Sequence, residues 1–158
     1  MIVLVAALAS PFLLKGGGTD PQPVRETPFR LSHPAVAGGS PEVVLYVSQH
    51  CRWCAIEMAG WGALAASGEA RVPLLALSPD SDPDQVVPAL PQGFRRRWVH
   101  DRDGSLGLAL GVRGVPFRAH IDSGGSVVEV AIGLTTVARR REILRILNPV
   151  PPLTEEHP

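Results

Sequence analysis

Cys51 and Cys54 are the only cysteines in a chain of 158 residues, and they stand in the order Cys-Arg-Trp-Cys. Two cysteines cannot build a multi-disulfide scaffold, and alone they cannot complete a four-ligand structural zinc site. What they can do is open and close one small disulfide ring. The five histidines, His33, His50, His100, His120 and His157, show no His-x-x-x-His spacing, so no metal site is expected. A Cys-x-x-Cys pair set in a strand–helix–strand pattern is a signature of thiol–disulfide exchange.

The elements around the pair supply that pattern. Val43–Ser48 is a continuous apolar, β-branched run of the kind buried on both faces of a sheet. Cys54 to about Ser67 is alanine-rich and helical, with Gly68 as its C-terminal glycine. Val72–Leu77 reads as a second buried strand. Asp82 is placed to cap a short helix opening at Pro83. Ser105–Leu110 reads as another short helix, stopped by Gly111. Phe117–Asp122 and Val127–Ile132 flank Ser123-Gly124-Gly125-Ser126 as an antiparallel hairpin. Thr135 or Thr136 caps a last helix to about Leu147, which Pro149 ends. That order predicts an α/β fold with a central mixed sheet flanked by helices.

This layout gives the two sulfurs different tasks. A thiolate, not a thiol, attacks a disulfide. With the strand ending near Gln49, Cys51 sits at a helix N-terminus, where unsatisfied N–H groups and the macrodipole favour negative charge. Cys51 is then the exposed nucleophile, with Cys54 the buried resolving thiol one turn further in. His50 and Arg52 flank the nucleophile and add positive potential. Alternatives remain: an inert structural disulfide in a binding module, or a thiol peroxidase. Peroxidatic cysteines have Thr or Ser three residues before them, as Ser48 is here, but the upstream Pro expected of that class is Val44.

Acidic and basic residues balance at 15 each, which gives no general case for nucleic acid or an anionic surface as partner. The one basic cluster, Arg95-Arg96-Arg97, reads as a solvated turn before a strand or as a docking patch. No glycine-rich nucleotide loop is present, so no organic cofactor is expected. Met1 to Leu14 is uncharged and mostly apolar, and residues 1–15 read as a signal peptide or membrane anchor. Residues 16–40, rich in Gly and Pro, read as a linker. The folded domain is expected over 41–148, with a proline-rich tail at 149–158.

The Cys51-Arg52-Trp53-Cys54 motif, followed some sixty residues on by Gly111-Val112-Arg113-Gly114-Val115-Pro116, resembles the thioredoxin superfamily. Glu57-Met58, the turn Asp101-Arg102-Asp103-Gly104-Ser105-Leu106 and the hairpin Ile121-Asp122-Ser123-Gly124-Gly125 are similar to the anchored or exported bacterial branch, which includes the reductases of cytochrome c maturation. The resemblance spans roughly residues 41–147. It implies a thioredoxin-like fold in which Pro116 is cis and Val115 offers its backbone to an incoming peptide. His50, Arg52 and Trp53 would form the active-site rim. The partners it implies are protein thiols and disulfides, including a membrane electron donor or an apo-cytochrome. The setting it implies is extracytoplasmic, with the membrane reached only through the N-terminal segment.

The chain also departs from that pattern. His50 replaces a frequent Trp, and Arg52-Trp53 lacks the frequent Pro. Leu45 stands where thioredoxin has a buried acid that serves proton transfer to the resolving thiol. Phe117 replaces a common Thr after Pro116. Glu57 is the nearest carboxylate in sequence to replace that acid, or else a residue facing solvent.

Overall fold

The computed structural model describes residues 29–36, 39–66 and 71–148. The central strand is β2 (Glu42–Val47), buried throughout after its first residue. It pairs in parallel with β3 (Leu74–Leu77) on one side and antiparallel with β5 (Phe117–Ile121) on the other. β4 (Trp98–His100) extends the parallel side. β6 (Ser126–Ile132) pairs antiparallel with β5, and β1 (Phe29–Arg30) with β6. The result is one mixed six-stranded sheet in the order β1-β6-β5-β2-β3-β4.

Successive residues of a strand point to opposite faces, so the apolar run of β2 feeds two cores. Val44 and Tyr46 pack with Phe117, Ala119 and the short helix α3 (Ser105–Leu110). Val43, Leu45 and Val47 pack with Cys54 and Trp61 of α1 (Arg52–Ala65) and with Ile143 of α4 (Val137–Leu147). α2 (Pro83–Ala89) joins this second face through Val86 and Val87.

Local chemistry sets the ends of these elements. Asp82 caps α2 by accepting from the Asp84 N–H, and Thr136 caps α4 by accepting from that of Arg139. Gly111 ends α3 in the left-handed region, φ 69°, where a Cβ is disfavoured. Buried Asp101 anchors the start of α3. It accepts from Tyr46 Oη at 2.6 Å and from the Leu106 and Gly107 N–H groups at 2.9 and 2.8 Å.

One expectation is corrected. The folded unit begins by Phe29, not near Pro41: β1 and the buried Leu31 and Val36 lie inside the stretch read as linker. The closely spaced prolines rule out a long strand there, but a two-residue edge strand fits between Pro28 and Pro34. The basic cluster forms the turn before β4, the first of its two readings, with Arg95 and Arg96 exposed. Arg95 donates to the carbonyls of Leu90 and Pro88 at the end of α2, and Arg97 reaches Glu42 at 2.6 Å. The expected apolar N-terminus, residues 16–28, Gly68 and the tail 149–158 lie outside the described residues.

Between α4 and the sheet, β5 places Arg118 and His120 beside Glu129 of β6, at 3.5 and 3.6 Å. Burial pushes His120 down to about 4, although the Glu129 carboxylate favours the imidazolium. The unfolded chain therefore takes up this proton first as pH falls. The stabilisation from His120 is complete above its ordinary value near 6.5 and is lost progressively toward pH 4. Urea unfolding at pH 7, 6, 5 and 4 should show a midpoint that declines across this window. A His120→Gln variant should show a shallower decline.

Candidate active site

Cys51 is the residue at which β2's connection becomes α1. Its backbone is extended (φ −94°, ψ 104°), and its side chain caps the helix by accepting from the Cys54 N–H at 3.1 Å. Cys54 follows one turn later, and the two sulfurs form a disulfide with a Cα–Cα separation of 5.2 Å. The partners differ in access: Cys51 is half-buried, whereas Cys54 is fully buried. An external sulfur can approach only the first.

Two neighbouring strands bring loops to this point. Before β5, the Val115–Pro116 peptide bond is cis, and the Val115 carbonyl oxygen lies 3.7 Å from Cys51 Sγ. Gly133 at the end of β6 fixes this loop, its N–H donating to the Pro116 carbonyl at 2.8 Å. After β3, Ser78, Asp80 and Ser81 hold the segment before the cysteine. Ser48 Oγ donates to Asp80 at 2.8 Å, and the Gln49 N–H donates to Ser81 Oγ at 3.2 Å. The hydroxyls of Ser78 and Ser48 hold the Asp80 carboxyl below the usual range. Ser48, the residue that suggested a peroxidase, thus spends its hydroxyl on Asp80.

The other expected site residues lie at the rim. His50 is exposed and lines a groove of about 580 Å³ between α1 and α2, together with Met58, Val86, Leu90 and Pro91. Arg52 is exposed and its guanidinium stacks on Trp53, 4.8 Å from the ring centroid. Trp53 itself is 50% exposed. His33 follows β1, His100 ends β4 and His120 lies in β5, and His157 lies outside the described residues.

Glu57 does not face solvent. It is fully buried one turn beyond Cys54, on the face of α1 turned to α4. Its carboxylate accepts from Trp61 Nε1 at 2.7 Å, from the Thr135 N–H at 2.9 Å and from Arg140 Nη2 at 2.6 Å. Gly60 makes this possible, because a Cβ there would collide with the Arg140 guanidinium. Arg140 and Thr135 carry no sequence signal for this role. Arg140 reads as one of several charges on an amphipathic helix, and only the fold turns it inward. Thr135 also accepts from Arg118, so the polar network continues from α1 to Glu129 on β6.

Solved structures share this architecture. The exposed lipoprotein thioredoxin Etrx1 of Streptococcus pneumoniae is 22% identical over 68% of this chain and 84% of that chain, with a TM-score of 0.57. A putative thiol:disulfide interchange protein DsbE from Chlorobium tepidum is 18% identical over 82% of this chain and 98% of that one, with a TM-score of 0.54. MTB dsbF, solved in mixed oxidized and reduced forms, is 25% identical over 70% and 80%, with a TM-score of 0.52. No protein-family model and no curated protein matches the chain. The chain has a thioredoxin-like fold with a Cys-x-x-Cys disulfide at the start of α1.

Removing one partner of a buried ion pair leaves an uncompensated charge and costs about 3–5 kcal/mol. Arg140→Met and Glu57→Gln should each lower unfolding stability by that order. The double variant should lose less than the two single losses summed, because neither charge of the pair remains buried, although the one amide oxygen introduced by Glu57→Gln can replace only one of the two carboxylate oxygens that accept from Trp61 and Thr135. Guanidinium titration of the four proteins in the oxidised state checks this.

Proposed function

We propose that this protein is a thiol–disulfide oxidoreductase that exchanges the Cys51–Cys54 disulfide with partner proteins outside the cytoplasm. The observation that carries the reading is the unequal access of two bonded sulfurs: Cys51 at a helix N-terminus and open, Cys54 one turn inside and closed.

The chemistry follows from that asymmetry. In the reduced protein the Cys51 thiolate attacks one sulfur of a partner disulfide. The partner's S–S bond breaks, its other sulfur leaves as a thiolate, and a mixed disulfide forms on Cys51. Cys54 then loses its proton and attacks Cys51 Sγ. The Cys51–Cys54 bond forms and the second partner sulfur is released. Two electrons have passed from the pair to the partner. The reverse sequence, opened by a partner thiolate at Cys51, oxidises the partner instead. The two sulfurs carry the electrons, so the cycle requires no organic cofactor.

During the mixed disulfide the partner backbone lies against Val115, whose carbonyl already approaches Cys51. Its flanking residues meet His50, Arg52 and Trp53. The apolar sequence of residues 1–14 and the description of Etrx1 as an exposed lipoprotein support an extracytoplasmic setting. Among the described residues no helix is long and apolar enough to cross a membrane, so any membrane tie would come through the N-terminal segment. Partners of this chemistry include a membrane electron donor and apo-cytochrome cysteines.

Cys54→Ser should trap the intermediate. Incubated with a disulfide-linked peptide, the reduced variant should gain one peptide mass on Cys51, reversed by dithiothreitol. Cys51→Ser should gain none, and the wild-type protein should turn over without a stable adduct. Equal labelling of both variants, or of neither, would contradict the assignment and leave a structural disulfide in a binding module.

A further inference from the structure

The chain as a whole is neutral, with 15 acids and 15 bases, but its charges are not evenly spent. Among the described residues, the ion pairs engage Arg71 and Arg97 with Glu42, Arg118 and Arg139 with Glu129, Arg139 with Glu142, and Arg140 with Glu57. Arg52 and Arg113 take part in none of them, and both are exposed. Arg52 lies between the two cysteines, its guanidinium already ordered by the Trp53 ring. Arg113 is two residues before Val115, so the two Cα atoms lie at most about 7.6 Å apart, and the Val115 carbonyl is 3.7 Å from Cys51 Sγ.

The acids near the pair do not cancel these arginines. Glu57 is buried and matched by Arg140. Asp80, which keeps its charge and accepts from Ser48 and Ser78, and Asp82, whose N–H meets Gln49, both lie in the loop after β3. β2, which leads to Cys51, lies between β3 and β5. Asp80 therefore stands on one side of the reactive sulfur, and Val115 with Arg113 on the other. A partner strand seated along Val115 meets an uncompensated cationic rim, with half-exposed Trp53 as its apolar element.

We infer that Arg52 and Arg113 make this rim selective for partner segments that carry acidic residues beside the reacting cysteine. This deepens the proposed function and rests on it: the exchange chemistry is unchanged, and the inference names the substrate class. Exposed charge pairs contribute only about 1.4- to 5-fold each in equilibrium terms. Two arginines acting on an approaching thiol or disulfide within a Debye length of about 8 Å give a measurable but salt-sensitive preference.

The test uses the reduced wild-type protein and three short peptides, each dimerised through a single disulfide. They differ only in the residues flanking the cysteine, which are Glu, Gln or Lys. Thiol release is followed by stopped flow, with neutral bis(2-hydroxyethyl) disulfide as the reference. In each reaction Cys51 displaces one peptide thiol and Cys54 the second, so two thiols appear per pair oxidised. At about 20 mM ionic strength the Glu peptide should react about tenfold faster than the Lys peptide. That ratio should fall toward one at 0.5 M salt. Arg52→Glu with Arg113→Glu should reverse the order, and Arg52→Gln with Arg113→Gln should abolish it. Equal rates for Glu and Lys peptides in the wild type, with the Gln peptide and the neutral disulfide reacting normally, would overturn the inference and leave the exchange chemistry intact. A Glu preference undiminished in the double Gln variant would also overturn it. Failure of the Gln peptide and the neutral disulfide alike would remove the exchange chemistry and this inference with it.

Discussion

The turn from β2 into α1 is the constraint on which the rest of this molecule depends. Ser48, Gln49, His50 and Cys51 are all the chain that separates a strand in the middle of the sheet from a helix opening at Arg52. Within that span Cys51 must leave the strand, cap the helix and keep its sulfur open. The neighbours on both sides make this possible. β3 sends up Ser78, Asp80 and Ser81 to bind the turn, while the segment before β5 sets the Val115 carbonyl against the sulfur. The geometry of the cysteine is thus fixed by the order of three strands, β5-β2-β3, rather than by the motif alone.

The second half of the site is fixed from behind. Glu57 holds α1 to α4 through Arg140 and to the connection before α4 through Thr135. Burying two charges is expensive, and a buried pair is often no more stabilising than an apolar replacement of the same volume. Here the pair is supported by the Trp61 indole N–H and the Thr135 amide, so the carboxylate's oxygens are well supplied with donors. The network places a fixed carboxylate one turn from buried Cys54, and it ties α1 to β5 and β6 through Arg118 and Glu129.

Much of the architecture was legible because it rests on local signals. The apolar run at 43–47, the caps at Asp82 and Thr136, the stop at Gly111 and the turn at Gly124-Gly125 each act within a few residues, and each marks its element. The cysteine spacing is equally local. α1 opens at Arg52 rather than at Cys54, because the Cys51 sulfur itself serves as the cap, a role outside the usual Ser, Thr, Asp and Asn. What could not be read depends on long-range pairing. β1 consists of two residues made a strand by β6, far along the chain. Arg97 and Arg95 look like a basic patch until Glu42 and the end of α2 are placed beside them. Glu57 and Arg140, 83 residues apart, become partners only when α1 and α4 pack on the same face.

The central claim is that the Cys51–Cys54 bond is a working redox couple rather than a staple. Its most direct test is equilibration of the protein across dithiothreitol and glutathione redox buffers, with the oxidised fraction read by alkylation and mass. The account predicts a single reversible two-electron transition, with a midpoint in the range of about −120 to −270 mV spanned by known exchange proteins, and a fold that persists in both states. A midpoint at the low end would mark a donor of electrons to partner disulfides, and one at the high end an oxidant. A bond that resists reduction until the protein unfolds would contradict the account.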